Sequence, residues 1–95
     1  MRLILTADAA AEALEAFGWY EHERAGLGAT FRDELDATLQ RVQRAPLVYR
    51  TVYRDLRRAL VHRFPYLVLY RVMKDVLVVV AVVHARRAPA SWRGR

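Results

Sequence analysis

Eight consecutive residues, Val76 to Val83, are apolar, with Asp75 before them and His84 after them. A helix that crosses a membrane needs about 20 such residues, so this run is too short to span one. It reads as a strand over Val76–His84, apolar on both faces, which must lie inside a sheet and be covered on both sides. A chain of 95 residues has room for one domain, residues 1–95. At that size roughly 65% of the unfolded surface can be buried, enough for one modest core. Asp8 and Glu12 follow the first apolar stretch at once, which does not fit a signal peptide. There are no cysteines, which excludes disulfide scaffolds and thiolate metal sites and fits a reducing cytoplasm.

The rest of the pattern can be built around that strand. Arg2–Leu5 reads as a short strand, after which Thr6 or Asp8 can cap a helix. Ala10, Leu14 and Phe17 fall on one helical face, with Glu12, Glu15 and Glu23 largely off it. Gly26-Leu27-Gly28 breaks the pattern and opens a second helix, whose apolar face is Phe31, Leu35, Leu39 and Val42 and which Pro46 ends. Beyond Pro46 the residues turn β-branched and aromatic. Val48–Tyr53 is a weak strand and Arg57–Phe64 a better one. The latter places Arg57, Ala59, Val61 and Arg63 on one face, and Arg58, Leu60, His62 and Phe64 on the other. Pro65-Tyr66 reads as a turn, Leu67–Val72 as a strand and Met73–Asp75 as a turn. Residues 85–95 show no regular pattern. The fold class is therefore α+β: a short strand, then an antiparallel helical hairpin packed on a mainly antiparallel sheet of three to five strands.

Charge divides the chain. Residues 1–43 hold eight acids and four bases, whereas residues 44–95 hold two acids and twelve bases, and the net charge is +6. A basic half calls for an acidic partner or a nucleic acid. Arg50, Arg54, Arg57, Arg58, Arg63, Arg71, Arg86, Arg87, Arg93 and Arg95 are interleaved there with Tyr49, Tyr53, Tyr66, Tyr70 and Trp92. That mixture suits RNA, with charge for phosphate and rings for bases. It equally suits a protein–protein hot spot. Catalytic constellations are thin. Ser91 is the only serine and has no nucleophile motif around it. His22, His62 and His84 lack metal-ligand spacing. The glycines at 26 and 28 follow a helix, which is not the setting of a phosphate-binding loop. No metal and no cofactor is expected.

Several segments, in this order, resemble the RelE/ParE superfamily, the toxins of bacterial type II toxin–antitoxin systems and plasmid stabilization loci. They are Trp19-Tyr20-Glu21, Gly26-Leu27-Gly28 with Phe31, and Pro46. There follow Arg57-Arg58, Arg63-Phe64-Pro65-Tyr66, Tyr70-Arg71, Val82-Val83-His84, Arg87-Ala88-Pro89, and Trp92 with Arg95. The resemblance is closest to the ParE type and implies a helical hairpin on an antiparallel sheet. ParE-like members inhibit DNA gyrase by binding, and RelE-like members cleave mRNA on the ribosome without a metal. Arg86 falls where RelE-like enzymes carry a catalytic arginine, and Arg58 matches one of their basic pair. Leu60, Leu67 and Trp92 stand where they carry a base, an arginine and a tyrosine. An indole has no proton to exchange at neutral pH.

The resemblance thus implies a gyrase-binding toxin with Arg57, Arg58, Arg63, Arg71, Arg86, Arg87, Trp92 and Arg93 on the target. Arg87, Pro89 and Trp92 stand out, because an unpatterned stretch gives them little reason to pack. A cognate antitoxin is expected to cover Trp19, Tyr20, Phe31 and Leu35, in a toxin–antitoxin hetero-oligomer or beside a toxin homodimer. The first alternative is an mRNA interferase with Arg58, Arg86 and Arg87 on the phosphate and the ribosome as partner. The second is an inactive basic interaction domain. No membrane partner is expected.

Overall fold

The computed structural model describes residues 1–95. The elements run β1 (Arg2–Leu5), α1 (Ala7–Glu23), α2 (Leu27–Arg44), β2 (Thr51–Tyr53), β3 (Leu56–Leu60), β4 (Tyr66–Met73) and β5 (Val76–His84). A single 3-10 turn, Pro89–Ser91, follows. One five-stranded sheet has the order β1-β5-β4-β3-β2. Its β2, β3, β4 and β5 are antiparallel neighbours, whereas β1 runs parallel to β5. The α+β class holds, with a mixed sheet. No helix is long and apolar enough to cross a membrane.

Both faces of β5 are covered, as its composition demands. Leu77, Val79 and Val82 belong to the core under the helices. Val80, Ala81 and Val83 belong to a second cluster on the opposite face. The switch in spacing comes from a bulge. Leu69 pairs with Ala81 and Tyr70 with Val79, so Val80 has no partner on β4.

Thr6 caps α1, its Oγ1 accepting from the Ala9 amide at 3.1 Å. The buried stripe of α1 is Ala9, Ala13, Ala16 and Tyr20 rather than Ala10, Leu14 and Phe17. Leu14 is 72% exposed. Small side chains bring the helix close to β5. The larger residues that dominate a hydropathy pattern lie beside the contact. The second helix is as its periodicity predicts, with Phe31, Leu35 and Val42 buried and Leu39 packed beside them. The Glu21 carboxylate on α1 caps α2, accepting from the amides of Gly26 at 2.9 Å and Gly28 at 3.0 Å. Gly26 sits at φ 89, and a Cβ on Gly28 would fall 2.7 Å from the Phe17 carbonyl, so both glycines are required by geometry.

Three strands differ from expectation in their bounds, and β4 runs one residue further at each end, Tyr66–Met73, while β3 begins at Leu56. The second strand is only Thr51–Tyr53, and β3 stops at Leu60 instead of running to Phe64. The turn is made by residues 62–65, with Arg63 at φ 72, and Tyr66 is the first residue of β4. The cause is Phe64. It swings to the helical side, where its ring meets Phe31 at 5.2 Å and Tyr20 at 4.8 Å. Strict alternation would have put it on the other face. Residues 85–95 also differ. They fold back over the sheet and bury Trp92 to 7% exposure among Leu67, Leu69, Val80 and Val83.

Tyr70 ties the linker after α2 to the sheet, its hydroxyl donating to the Pro46 carbonyl at 2.6 Å. Burial pushes this phenol up to about 12, Arg57 opposing and Tyr49 adding to the rise. The unfolded chain releases the proton first, near pH 10. Stability is therefore expected to fall as pH rises from 10 through 12. Tyr70→Phe should lose about 1–2 kcal/mol at pH 7 and show a shallower alkaline fall. Urea denaturation across this range measures both.

Candidate functional site

On the sheet face away from the helices, β3, β4 and residues 85–93 enclose a groove of about 560 Å³. Arg50, Arg58, Arg86, Arg87 and Arg93 line it, over a floor that includes Leu67, Leu69 and Trp92. No Asp, Glu, His, Lys or Tyr is among its lining residues. The ion pairs of the protein are Arg63–Glu34, Arg71–Asp55, Arg87–Glu12 and Arg95–Glu12, so four of the groove's five guanidinium groups have no carboxylate partner. Arg93 instead lies over the Tyr53 ring at 5.1 Å. Uncompensated like charges on a concave wall create a strongly positive potential, which draws anionic groups.

Of the eight residues expected on the target, five converge here: Arg58, Arg86, Arg87, Trp92 and Arg93. Three do not. Arg57 points to the helical side and donates to the carbonyls of Tyr49 at 2.5 Å and Leu47 at 3.3 Å. Arg63 sits on the 62–65 turn, 3.7 Å from Glu34. Arg71 pairs with Asp55 at 3.4 Å and donates to the Arg95 carbonyl at 2.8 Å. Trp92 is in the groove as floor rather than as a free ring, which corrects the expectation that an unpatterned stretch gives it little reason to pack. The exposed wall of the groove comes from its arginine neighbours.

Behind the same segment, between α1 and the end of β5, lies a cleft of about 520 Å³. Glu12, Glu15, Trp19, Tyr20, Tyr66 and Arg87 are among the residues that line it. Trp19 is 59% exposed, whereas Tyr20 stacks on Phe31 at 5.4 Å. Burial raises the Tyr20 phenol above its ordinary value, with Tyr66 adding to the rise. Burial raises Tyr66 as well, Glu15 adding and Arg87 opposing. Neither phenol is a base at neutral pH. Phe31 and Leu35, expected as antitoxin contacts, are core residues. Their edges form the floor of an apolar hollow of about 410 Å³ between the helices, beside Leu14 and Phe17.

The helical pattern places Glu12 largely off the apolar face of α1. The structure makes it the junction between helix and sheet. Its side chain is only 13% exposed. It accepts from the Val82 amide at 3.0 Å and, at both oxygens, from Arg95 at 2.8 Å. Arg87 stands 3.7 Å away. The bidentate contact raises Arg95 above its usual value, against the effect of burial. The one available signal was position: Glu12 falls between Ala9 and Ala16 on the stripe that packs on β5. His84 lines the same cleft as Glu12, and its Nδ1 accepts from the Arg86 amide at 3.1 Å. Nowhere do three His, Asp or Glu side chains converge as a metal site would require.

Residues 3–89 match the family described as ParE toxin of type II toxin-antitoxin system, parDE. The chain belongs to the ParE toxin family. Among solved structures, this ParE-family fold is similar to a chain of the chromosomal ParDE TA system from P. aeruginosa. That comparison gives a TM-score of 0.79 at 15% identity over 88% of this chain and 95% of that one. It is also similar to the isolated E. coli RelE toxin, at TM-score 0.66 and 21% identity over 95% of this chain and 89% of that one. At such identities the likeness concerns the fold. No curated protein sequence matches the chain.

The two kinds of groove residue should respond differently to truncation. Trp92→Ala is expected to cost about 3–5 kcal/mol, as for other buried aromatics. Arg86→Ala, exposed and unpaired, should change stability by less than about 0.5 kcal/mol. Urea denaturation of both variants measures the contrast.

Proposed function

We propose that this ParE-family toxin acts by binding, with the arginine groove as its target-docking surface, DNA gyrase as the target, and an antitoxin as its neutralising partner. The observation that carries this reading is the make-up of the groove. Five guanidinium groups line it and no side chain there can give or take a proton near neutral pH. Cleavage of a phosphodiester wants a general base and a general acid within reach of the reacting atoms. A groove with charge alone is suited to holding an anionic surface, and membership in the ParE family directs the choice to gyrase. For the antitoxin, Leu14 leaves a large apolar side chain exposed at the hollow between the helices, and Trp19 leaves one at the cleft between α1 and the end of β5. Covering such surface, with acidic residues reaching the basic half, would stabilise a complex.

A second reading has its own support. Arg58, Arg86 and Arg87, the residues a RelE-like interferase would place on phosphate, line the same groove, and the fold is also similar to a RelE toxin. Expression in a bacterial host with pulse-labelling of DNA, RNA and protein synthesis separates the two. Under the gyrase reading DNA synthesis falls first and message stays intact. A first fall in protein synthesis with cut message would replace it by the interferase reading. No growth defect at all would leave the inactive interaction domain. The double variant Arg58→Glu, Arg86→Glu should stay folded by circular dichroism and lose toxicity, because it turns five positive charges into three positive and two negative. Full toxicity of the folded double variant would remove the groove from the target interface. Binding of the intact toxin to its target should also weaken as salt rises, since exposed charges are screened within about 8 Å at physiological ionic strength.

A further inference from the structure

Glu12 lies outside the groove, yet the groove's shape leads back to it. One wall is the segment from Ala85 to Arg93. That segment contributes no strand to the sheet, and its only regular element is the three-residue turn Pro89–Ser91. It is held down at its far end in three ways. Trp92 is buried on the sheet. The Arg95 carbonyl accepts from Arg71 at 2.8 Å. The Arg95 guanidinium reaches past the edge of β5 to Glu12 at 2.8 Å and to the Val80 carbonyl at 3.1 Å. The family match ends at residue 89, before Trp92 and Arg95.

We propose that Glu12 is a positioning residue for the arginine groove: it seats residues 85–95 as the groove wall through Arg95, and it orients Arg87. The functional half of this inference rests on the reading that the groove docks the target. The geometry has two parts. First, the carboxylate is already fixed by its bond to the Val82 amide, so it presents a preset, two-oxygen acceptor that matches the planar fork of an arginine. Without it Arg95 would be left poorly solvated and unpaired, and the segment would lift to rehydrate it. Second, Arg87 lines both the cleft beside Glu12 and the groove, and it is 49% exposed. A guanidinium 3.7 Å from a buried carboxylate has a preferred side, which fixes how this arginine is offered to a ligand.

The test uses the full chain carrying Trp19→Phe, which leaves Trp92 as the only indole. Acrylamide quenching then reports whether the wall is seated. Glu12→Gln and Arg95→Ala are compared singly and together. Quenching of Trp92 is expected to rise about threefold or more in each single variant, through local opening of the segment. The double variant should rise no further, since both changes break one path. Circular dichroism and cooperative melting should persist, and growth inhibition should be lost. Unchanged quenching in a folded Glu12→Gln variant overturns the proposal. So do additive effects in the double variant. If Glu12→Gln fails to fold, Arg95→Ala decides the same question from the other side. Raised quenching with toxicity intact upholds the seating of the wall and overturns the groove as the docking surface.

Discussion

A strand that is apolar on both faces and lies between two neighbours sets the terms for this fold. The sheet gives β5 a complete partner on one side, β4, but only a short one on the other. The first strand reaches Leu5, opposite Val79, and stops. Beyond that point the Val80 carbonyl and the Val82 amide would face an open edge. Both are satisfied from outside the ladder, by Arg95 and Glu12. Unpaired backbone groups in a buried setting are rarely tolerated. An acid on a helix and an arginine far along the chain are therefore drawn to the same place. One face of the strand is closed by the hairpin and the other by Trp92, so the segment that covers the core also shapes the groove.

The sequence was most legible where one physical requirement acted alone. The apolar run, the four-residue spacing of α2 and the glycine pair each had a single explanation, and the structure carries all of them; of the two caps open to α1 it uses Thr6. Legibility failed where two requirements competed. On α1 a stripe of alanines competes with a stripe of larger residues, and close approach to the sheet favours the alanines. In β3 alternation predicts four more residues of strand, but Phe64 gains more by joining Tyr20 and Phe31. Residues 85–95 have no periodicity because a strap held by an indole and a guanidinium needs none.

The site divides in the same way. Charge asymmetry located the basic half, and five of the eight residues expected on a target meet in one groove. Which arginines are free was hidden, because Arg57, Arg63 and Arg71 are occupied by partners that only the folded chain brings near. The aromatic residues of that half are also mostly committed. Tyr70 is buried, Trp92 is floor, and Tyr53 lies beneath Arg54 and Arg93. What looked like a stacking surface for bases is a charged surface with few rings to offer. Glu12 was misassigned for a related reason: an acid on a helix reads as solvated until the strand edge beneath it is known.

The parallel pairing of β1 with β5 joins positions 74 residues apart, as Thr6 and Val80 also do. Contacts that distant form late, because a long loop must close before they contribute. During synthesis the N-terminal strand and both helices emerge with their sheet-facing side chains uncovered, and they wait for the last strand to be made. The groove does not exist until residues beyond His84 have folded back over that strand. Whatever binds the groove can bind only after that step, because residues 85–93 form one of its walls.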